Sequence, residues 1–273
     1  MYFSVVMSVY RNDKPEFVRR AVESVTTGQT RKPNEVVLVV DGLVPEALEV
    51  LVRDYEQVTN SIFKVIWLPK NKGLGNALRV GVEAASNEII ARMDSDDVSA
   101  SDRFEKQISY MEEHPECDLV GGQISEFIDE ESNIVGKRIV PCEHDKILMW
   151  LKGRCPFNHM SVTMLRSRVL GVGNYMDWHF NEDYYLWIRM AEAGCRFANL
   201  PDTLVNVRVG ADMYRRRGGW KYFKSEKGIQ DYMLRHRIIS LPHYCYNVLG
   251  RFAVQVAMPN RLRGFIFQKL FRK

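Results

Sequence analysis

The segment "EIIARMDSDD" (residues 88–97) decides how this chain is read. It runs from the strand-compatible stretch Ile89 to Met93 straight into Asp94, Asp96 and Asp97. A short apolar run of this kind suits a strand buried on both faces, as in a parallel sheet. In open α/β sheets, ligands bind beyond the carboxyl ends of the strands. Carboxylates gathered at such a point repel one another, so a compensating cation is expected. Hard oxygen ligands suit Mn²⁺ or Mg²⁺. The plainer alternative is a solvated loop with a helix cap. Asp102, spaced from Glu105 as in a capping box, already offers that cap, which leaves the cluster to the cation.

Working outward, "FSVVMSV" (3–9), "EVVLVVDG" (35–42) and "FKVIWLP" (63–69) are further buried-strand patterns. Helical patterns separate them. "NDKPEFVRRAVESVTTG" (12–28) offers Asp13 as a cap and Pro15 in the first turn; "PEALEVLVRDYEQ" (45–57) and the end of "NKGLGNALRVGVEAA" (71–85) follow. Strands alternating with helices predict βαβ units and a mainly parallel sheet. Ser8 and Tyr10, Asp41 and the Asp94 cluster would then share one edge. Beyond about residue 115, "CDLVGGQISEFID" and "GKRIVP" read as strands with a turn between them. "PFNHMSVTMLRSRVL" gives a strand and a helix start, "NEDYYLWIRMAEAG" a helix, and "RFANLPDTLVNVRVG" a strand.

The 273 residues are 46% hydrophobic and 26% charged, enough for a sizeable core in one α/β domain with a tail or in two small domains. Cys117, Cys142, Cys155, Cys195 and Cys245 form no CxxC pair, which speaks against a zinc cluster or disulfide framework and for a reducing compartment. MYFSVVMSVY reads as a first strand rather than a signal peptide. The net charge of +4 conceals an asymmetry. From Tyr232 onward there is no Asp or Glu, while Arg235, Arg237, Arg251, Arg261, Arg263, Lys269, Arg272 and Lys273 are all basic. An acidic body with a basic end suggests an anionic surface as partner for that end.

Other motifs are weaker. The Asn71–Asn76 loop has Leu78 where a dinucleotide fingerprint needs its third glycine, and no Walker A lysine pattern is present. Glu182 and Asp183 open a predicted helix, where negative charge is favourable in itself by up to about 1 kcal/mol. Beside a metal–diphosphate site they become candidates for a general base. His159 is a candidate acceptor contact, although a histidine among apolar residues is more often a packed one. "YRRRGGWKYFK" (214–224), with Arg215, Arg216 and Arg217, is a solvated basic loop or a lid over a diphosphate.

Taken together, "VVMSVYRND", "EVVLVVDG", "NKGLGNAL", "RMDSDD…DRFEKQ" and "NEDYYLWIRM" resemble, in order and spacing, the family 2 glycosyltransferases of GT-A fold. The nearest likeness is the bacterial capsule, exopolysaccharide and O-antigen branch, over about residues 2–210. The resemblance implies a Rossmann-like, mainly parallel sheet flanked by helices and a nucleotide-sugar donor, usually a UDP-sugar, used with inversion. The chain is expected to divide into a catalytic domain, 1–231, with a nucleotide half (1–100) and an acceptor half (101–231), and a basic, aromatic-rich helical extension, 232–273, where the acids end.

Carried onto these residues, the resemblance has Asp41 contacting the base and Ser8 and Tyr10 lining the nucleoside, with Asn71 and Gly73 in the donor site. Asp94-Ser95-Asp96 is similar to the family's DXD motif. Asp94 would face the ribose, and Asp96, with Asp97 nearby, would hold Mn²⁺ or Mg²⁺ at the diphosphate. Asp183 would be the base, with Glu182 beside it. The chain departs from the family pattern in having Val40 before Asp41, Arg79 where many members have Asn, and no QxxRW motif. The last of these favours addition of one sugar per encounter.

The tail interleaves cations with Tyr244, Tyr246, Phe252, Phe265, Phe267 and Phe271, a pattern suited to an interfacial helix on an anionic leaflet. A helix docked on the catalytic domain is the alternative. The expected acceptor is a lipid-linked saccharide, and the expected location is the cytoplasmic face of the cell membrane. Three rivals compete: a catalytically silent nucleotide-sugar-binding or scaffold protein, a nucleic-acid-binding protein, and a sugar nucleotidyltransferase. The paired acids oppose the first. The acidic body opposes the second, so nucleic acid is not an expected partner. "SVYRNDKPE", which is not a glycine-rich nucleotide loop, opposes the third.

Overall fold

The computed structural model describes residues 1–58, 61–210 and 219–257. Its first half alternates as the sequence predicts: β1 (Phe3–Val9), α1 (Pro15–Val25), β2 (Glu35–Val40), α2 (Glu46–Gln57), β3 (Phe63–Trp67), α3 (Leu74–Ala84) and β4 (Ile89–Met93). These four strands pair in parallel in the order β3-β2-β1-β4. Because side chains alternate across a strand, the sheet has an apolar layer on each face. Val5, Met7, Leu38 and Ala91 pack with α1 and α2. Val6, Val37, Val39 and Ile90 pack with Ala77, Leu78 and Val82 of α3. Gly81 allows α3 this close approach, since a Cβ there would lie 2.5 Å from the Val6 side chain.

The second half continues the sheet with mixed directions. It comprises β5 (Val98–Ser99), α4 (Arg103–Glu113), β6 (Leu119–Phe127), β7 (Ile134–Arg138), α5 (His144–Leu151), β8 (Thr163–Leu165), α6 (Arg166–Gly171), α7 (Glu182–Glu192) and β9 (Phe197–Arg208). The order runs on from β4 as β8-β6-β9-β5, with β7 on β6. β6 and β9 run parallel, whereas β8 is antiparallel to both β4 and β6. The short antiparallel pairing of β5 with β9 folds the end of β9 back over the Asp94–Asp97 turn. The fold is therefore the expected α/β one, a largely parallel sheet between helices. At eight residues, α5 is too short for a helical period to stand out in the sequence.

Two further helices follow, α8 (Trp220–Arg235) and α9 (Leu241–Phe252). A domain boundary after residue 231 falls inside α8. Among the described residues, no helix is long and apolar enough to cross a membrane.

Two capping expectations need correction. Lys14, not Asp13, holds the N-cap position of α1, and no side chain caps that helix. Asp13 accepts instead from the Tyr10 amide (3.0 Å) and the Ser95 hydroxyl (2.8 Å). Asp102 makes no capping bond to α4 and pairs with Lys106 at 2.8 Å. Both are short acids for which a cation or a polar loop offered a stronger partner than a helix amide.

Candidate active site

The carboxyl ends of β1, β2 and β4 meet at one edge, and the loop before α3 closes it. Asp41, buried at the end of β2, accepts from the amides of Lys72 and Gly73, each at 2.9 Å. Asn71 donates its side-chain amide to the Asp41 carbonyl (3.1 Å). Gly42 makes this contact possible: its φ is +87°, and a Cβ there would lie 2.4 Å from the Asn71 nitrogen. Asp41 thus fastens the loop that carries Asn71 and Gly73 to the strand end. Ser8 is half-buried near the end of β1, and Tyr10 is exposed just beyond it.

The acidic turn after β4 is organised by two arginines that the sequence reading passed over. Arg92, 2% exposed, pairs with Asp94, while its Nε and Nη1 are buried without hydrogen-bond partners among the described residues. Arg208, at the end of β9, donates its backbone N–H to Asp97 Oδ1 (2.9 Å) and its Nε–H to the Asp96 carbonyl (3.3 Å). Its guanidinium lies 3.9 Å from the Phe17 ring centre and 4.6 Å from that of Phe127. Asp13 joins the cluster through Ser95.

The electrostatics are those of crowded anions. Asp96 opens to solvent at the mouth, yet loss of surrounding water, followed by Asp94 and then Asp13, pushes its carboxyl up to about 7. Burial, Asp94 and Asp96 raise Asp97 well above the carboxylate range. Burial raises Asp13 to about 6. Asp97 Oδ2 is buried and makes no hydrogen bond among the described residues. An orphaned buried oxygen beside raised carboxyls is the environment a divalent cation relieves, so the donor set fits Mn²⁺ or Mg²⁺. No three His, Cys, Asp or Glu side chains among the described residues come together as a metal cluster.

The Glu182–Asp183 pair approaches the acidic turn from the other half, near enough for Asp94 and Arg92 to act on Glu182. At Gly75, in the first turn of α3, a Cβ would lie 3.2 Å from Glu182 Cβ, so the starts of α3 and α7 abut. Burial pushes Glu182 up to about 7; Asp183 and Asp94 add to the rise, and Arg92 opposes it. Asp183 Oδ1 accepts from the Tyr184 amide at 2.7 Å. Its Oδ2 lies 3.8 Å from Cys155 Sγ and 4.0 Å from His159 Nδ1.

His159 does not present the acceptor surface expected of it. It is 9% exposed, its Nε2 lies 2.8 Å from the Tyr175 hydroxyl, and its ring meets Trp187 edge-on. Burial, then Arg92, holds its pKa well below the usual histidine range, so it stands neutral behind Asp183. Arg215, Arg216 and Arg217 lie outside the described residues. Asp13, Arg92, Tyr175 and Arg208 are the site residues that sequence reasoning missed. Arg92 alone gave a signal, as a charge inside a buried-strand pattern.

A parallel nucleotide-type half whose acidic strand ends face a second pair of acids defines an α/β group-transfer enzyme of GT-A type. Residues 4–172 match the model of glycosyl transferase family 2, and the chain belongs to that family; it is a glycosyltransferase. It is 42% identical over 233 residues to the amylovoran biosynthesis glycosyltransferase AmsE of Erwinia amylovora, covering 85% of each chain. It is 32% identical to an Escherichia coli UDP-Gal:α-D-GlcNAc-diphosphoundecaprenol β-1,3-galactosyltransferase, covering 99% of this chain and 97% of the relative. The crystal structure of S. aureus TarS 1–349 in complex with UDP-GlcNAc superposes with a TM-score of 0.66 at 16% identity, covering 93% of this chain and 73% of that one, a likeness of fold.

Proposed function

We propose that the protein transfers one sugar, with inversion, from a UDP-sugar to a hydroxyl of a lipid-linked saccharide in the synthesis of a bacterial surface polysaccharide. The observation that carries this is the approach of two acid sets, Asp94/Asp96/Asp97 after β4 and Glu182/Asp183 at the start of α7, close enough for Asp94 and Arg92 to act on Glu182. The relatives named above support the donor nucleotide and the class of acceptor.

In this reading Ser8, Tyr10 and Asp41 line the nucleoside, with Asn71 and Gly73 beside it, and Asp94, steadied by Arg92, faces the ribose. Asp96 and Asp97 would hold Mn²⁺ or Mg²⁺, which when bound neutralises charge on the departing diphosphate. Asp183 takes the proton of the acceptor hydroxyl as its oxygen bonds to the anomeric carbon. The bond from that carbon to the diphosphate breaks on the opposite face, and the nucleoside diphosphate leaves. Burial and the neighbouring Asp183 push Glu182 up to about 7, so it gives up its proton less readily than an ordinary carboxyl. The enzyme works at the inner face of the cell membrane, where a lipid-linked acceptor is found.

The test is calorimetric titration of UDP, GDP, dTDP and CDP with and without Mn²⁺, on wild type and Asp96→Ala, followed by transfer assays. Metal-dependent binding of UDP that Asp96→Ala abolishes is the expected result. A folded protein that binds none of the four overturns the donor site.

A further inference from the structure

α9 is amphipathic in the wrong sense for a helix packed on a soluble protein. Its inward side is polar. Asn247 donates to Gln230 (2.8 Å) on α8 and to the Lys152 carbonyl (2.9 Å). Tyr244 donates to Asp231 (2.7 Å), and Arg251 pairs with Glu226 and donates to the Gly153 carbonyl (2.6 Å). Its outward side is apolar: Leu241 is 61% exposed, Tyr246 80%, Leu249 68% and Phe252 41%. Pro242, Cys245 and Ala253 are exposed among them, and none of these positions is charged. Trp220, 53% exposed, extends the face beside Phe252, with Lys221 and Lys224 exposed next to it. Contiguous apolar surface of this kind marks an interaction site.

We infer that this face of α9, with Trp220, is the surface that seats the enzyme on an anionic lipid leaflet. The inference rests on the lipid-linked acceptor proposed above and deepens it. Charge selects the occupant. The chain beyond the face carries Arg261, Arg263, Lys269, Arg272 and Lys273 and no acid, interleaved with Phe265, Phe267 and Phe271. A second copy would bring like charge against like, whereas an anionic leaflet complements both the cations and the apolar face. The placement also serves the chemistry. Arg251 grips the carbonyl of Gly153, two residues before Cys155, whose sulfur lies beside Asp183. The seated helix is therefore tied directly to the loop behind the base.

The experiment is co-sedimentation of the full chain with phosphatidylglycerol/phosphatidylcholine vesicles, without donor or acceptor, on wild type, Tyr246→Glu/Leu249→Glu and a Val50→Glu control on α2. Both face residues are well exposed, so the fold tolerates the change; circular dichroism and transfer to a water-soluble acceptor check this. Wild type and control should bind anionic vesicles, and the double variant should bind at least tenfold more weakly with soluble-acceptor turnover unchanged. Absence of wild-type binding, or equal binding by the double variant, overturns the inference. So does a wild-type dimer that the double variant dissociates in sedimentation equilibrium. Failure of transfer with soluble substrates would instead strike the catalytic reading, which vesicle binding does not touch.

Discussion

The two halves of the molecule hold their acids by opposite means. In the nucleotide half, Asp94, Asp96 and Asp97 crowd one turn, restrained by Arg92 and the end of β9, with carboxyls raised by burial and mutual repulsion. In the acceptor half, Asp183 stands at a helix start, backed by Cys155 and a neutral His159 packed between Tyr175 and Trp187. On the proposed reading the first arrangement would hold a cation, and the second depends on packing to aim a single carboxylate. Charge neutralisation and proton removal would then fall to different halves of the fold.

Four substitutions test this division. Asp183→Asn should lower transfer by about 10²–10⁴-fold while leaving nucleotide affinity unchanged, as steady-state assays and titration would show. Near-wild-type turnover would remove the base from the acceptor half. Asp96→Ala should erase the gain in UDP affinity on adding Mn²⁺, about a hundredfold or 2.7 kcal/mol; if that gain persists, the cation is not held at the turn. Arg92→Gln leaves Asp94 without its buried partner and should cost about 2 kcal/mol in urea melts, less than a fully buried pair because Asp94 is partly hydrated. An unchanged midpoint would mean that β9, not Arg92, restrains the turn.

The smallest effect concerns Glu182, raised from an ordinary 4.5 to about 7. A carboxyl with a raised folded pKa removes stability as pH climbs between those values. Glu182→Gln should therefore stabilise the protein by roughly 1 kcal/mol at pH 8, allowing for water at the pocket, and by nearly nothing at pH 4. Thermal melts at the two pH values decide it, and an equal effect at both would refute the charge explanation.

The nucleotide half was legible because buried parallel strands and amphipathic helices write their periods plainly, and its candidate donor-site acids fall where strands end. Most elements of the acceptor half were legible, α5 and the short β5 excepted, but contacts between distant segments were not legible in either half. Asp13 reads as a cap, and only the folded chain brings Ser95 to it. Arg208 is one cation among many in sequence, and only the pairing of β9 with β5 and β6 sets it beside the acidic turn. His159 stayed open as an acceptor contact because its burial depends on Tyr175 and Trp187, which lie in other segments.

That β5–β9 pairing also bears on the order of assembly. β1 to β4 all lie before Asp94, whereas β5 meets Asn206 and Val205 only when the chain has been made through β9. Contacts so distant in sequence form late, after the local ones have organised their surroundings. During synthesis the nucleotide half can therefore collapse while the Asp96–Asp97 turn is still open and hydrated. The mutual repulsion of its acids is imposed last, on a scaffold already rigid enough to bear it.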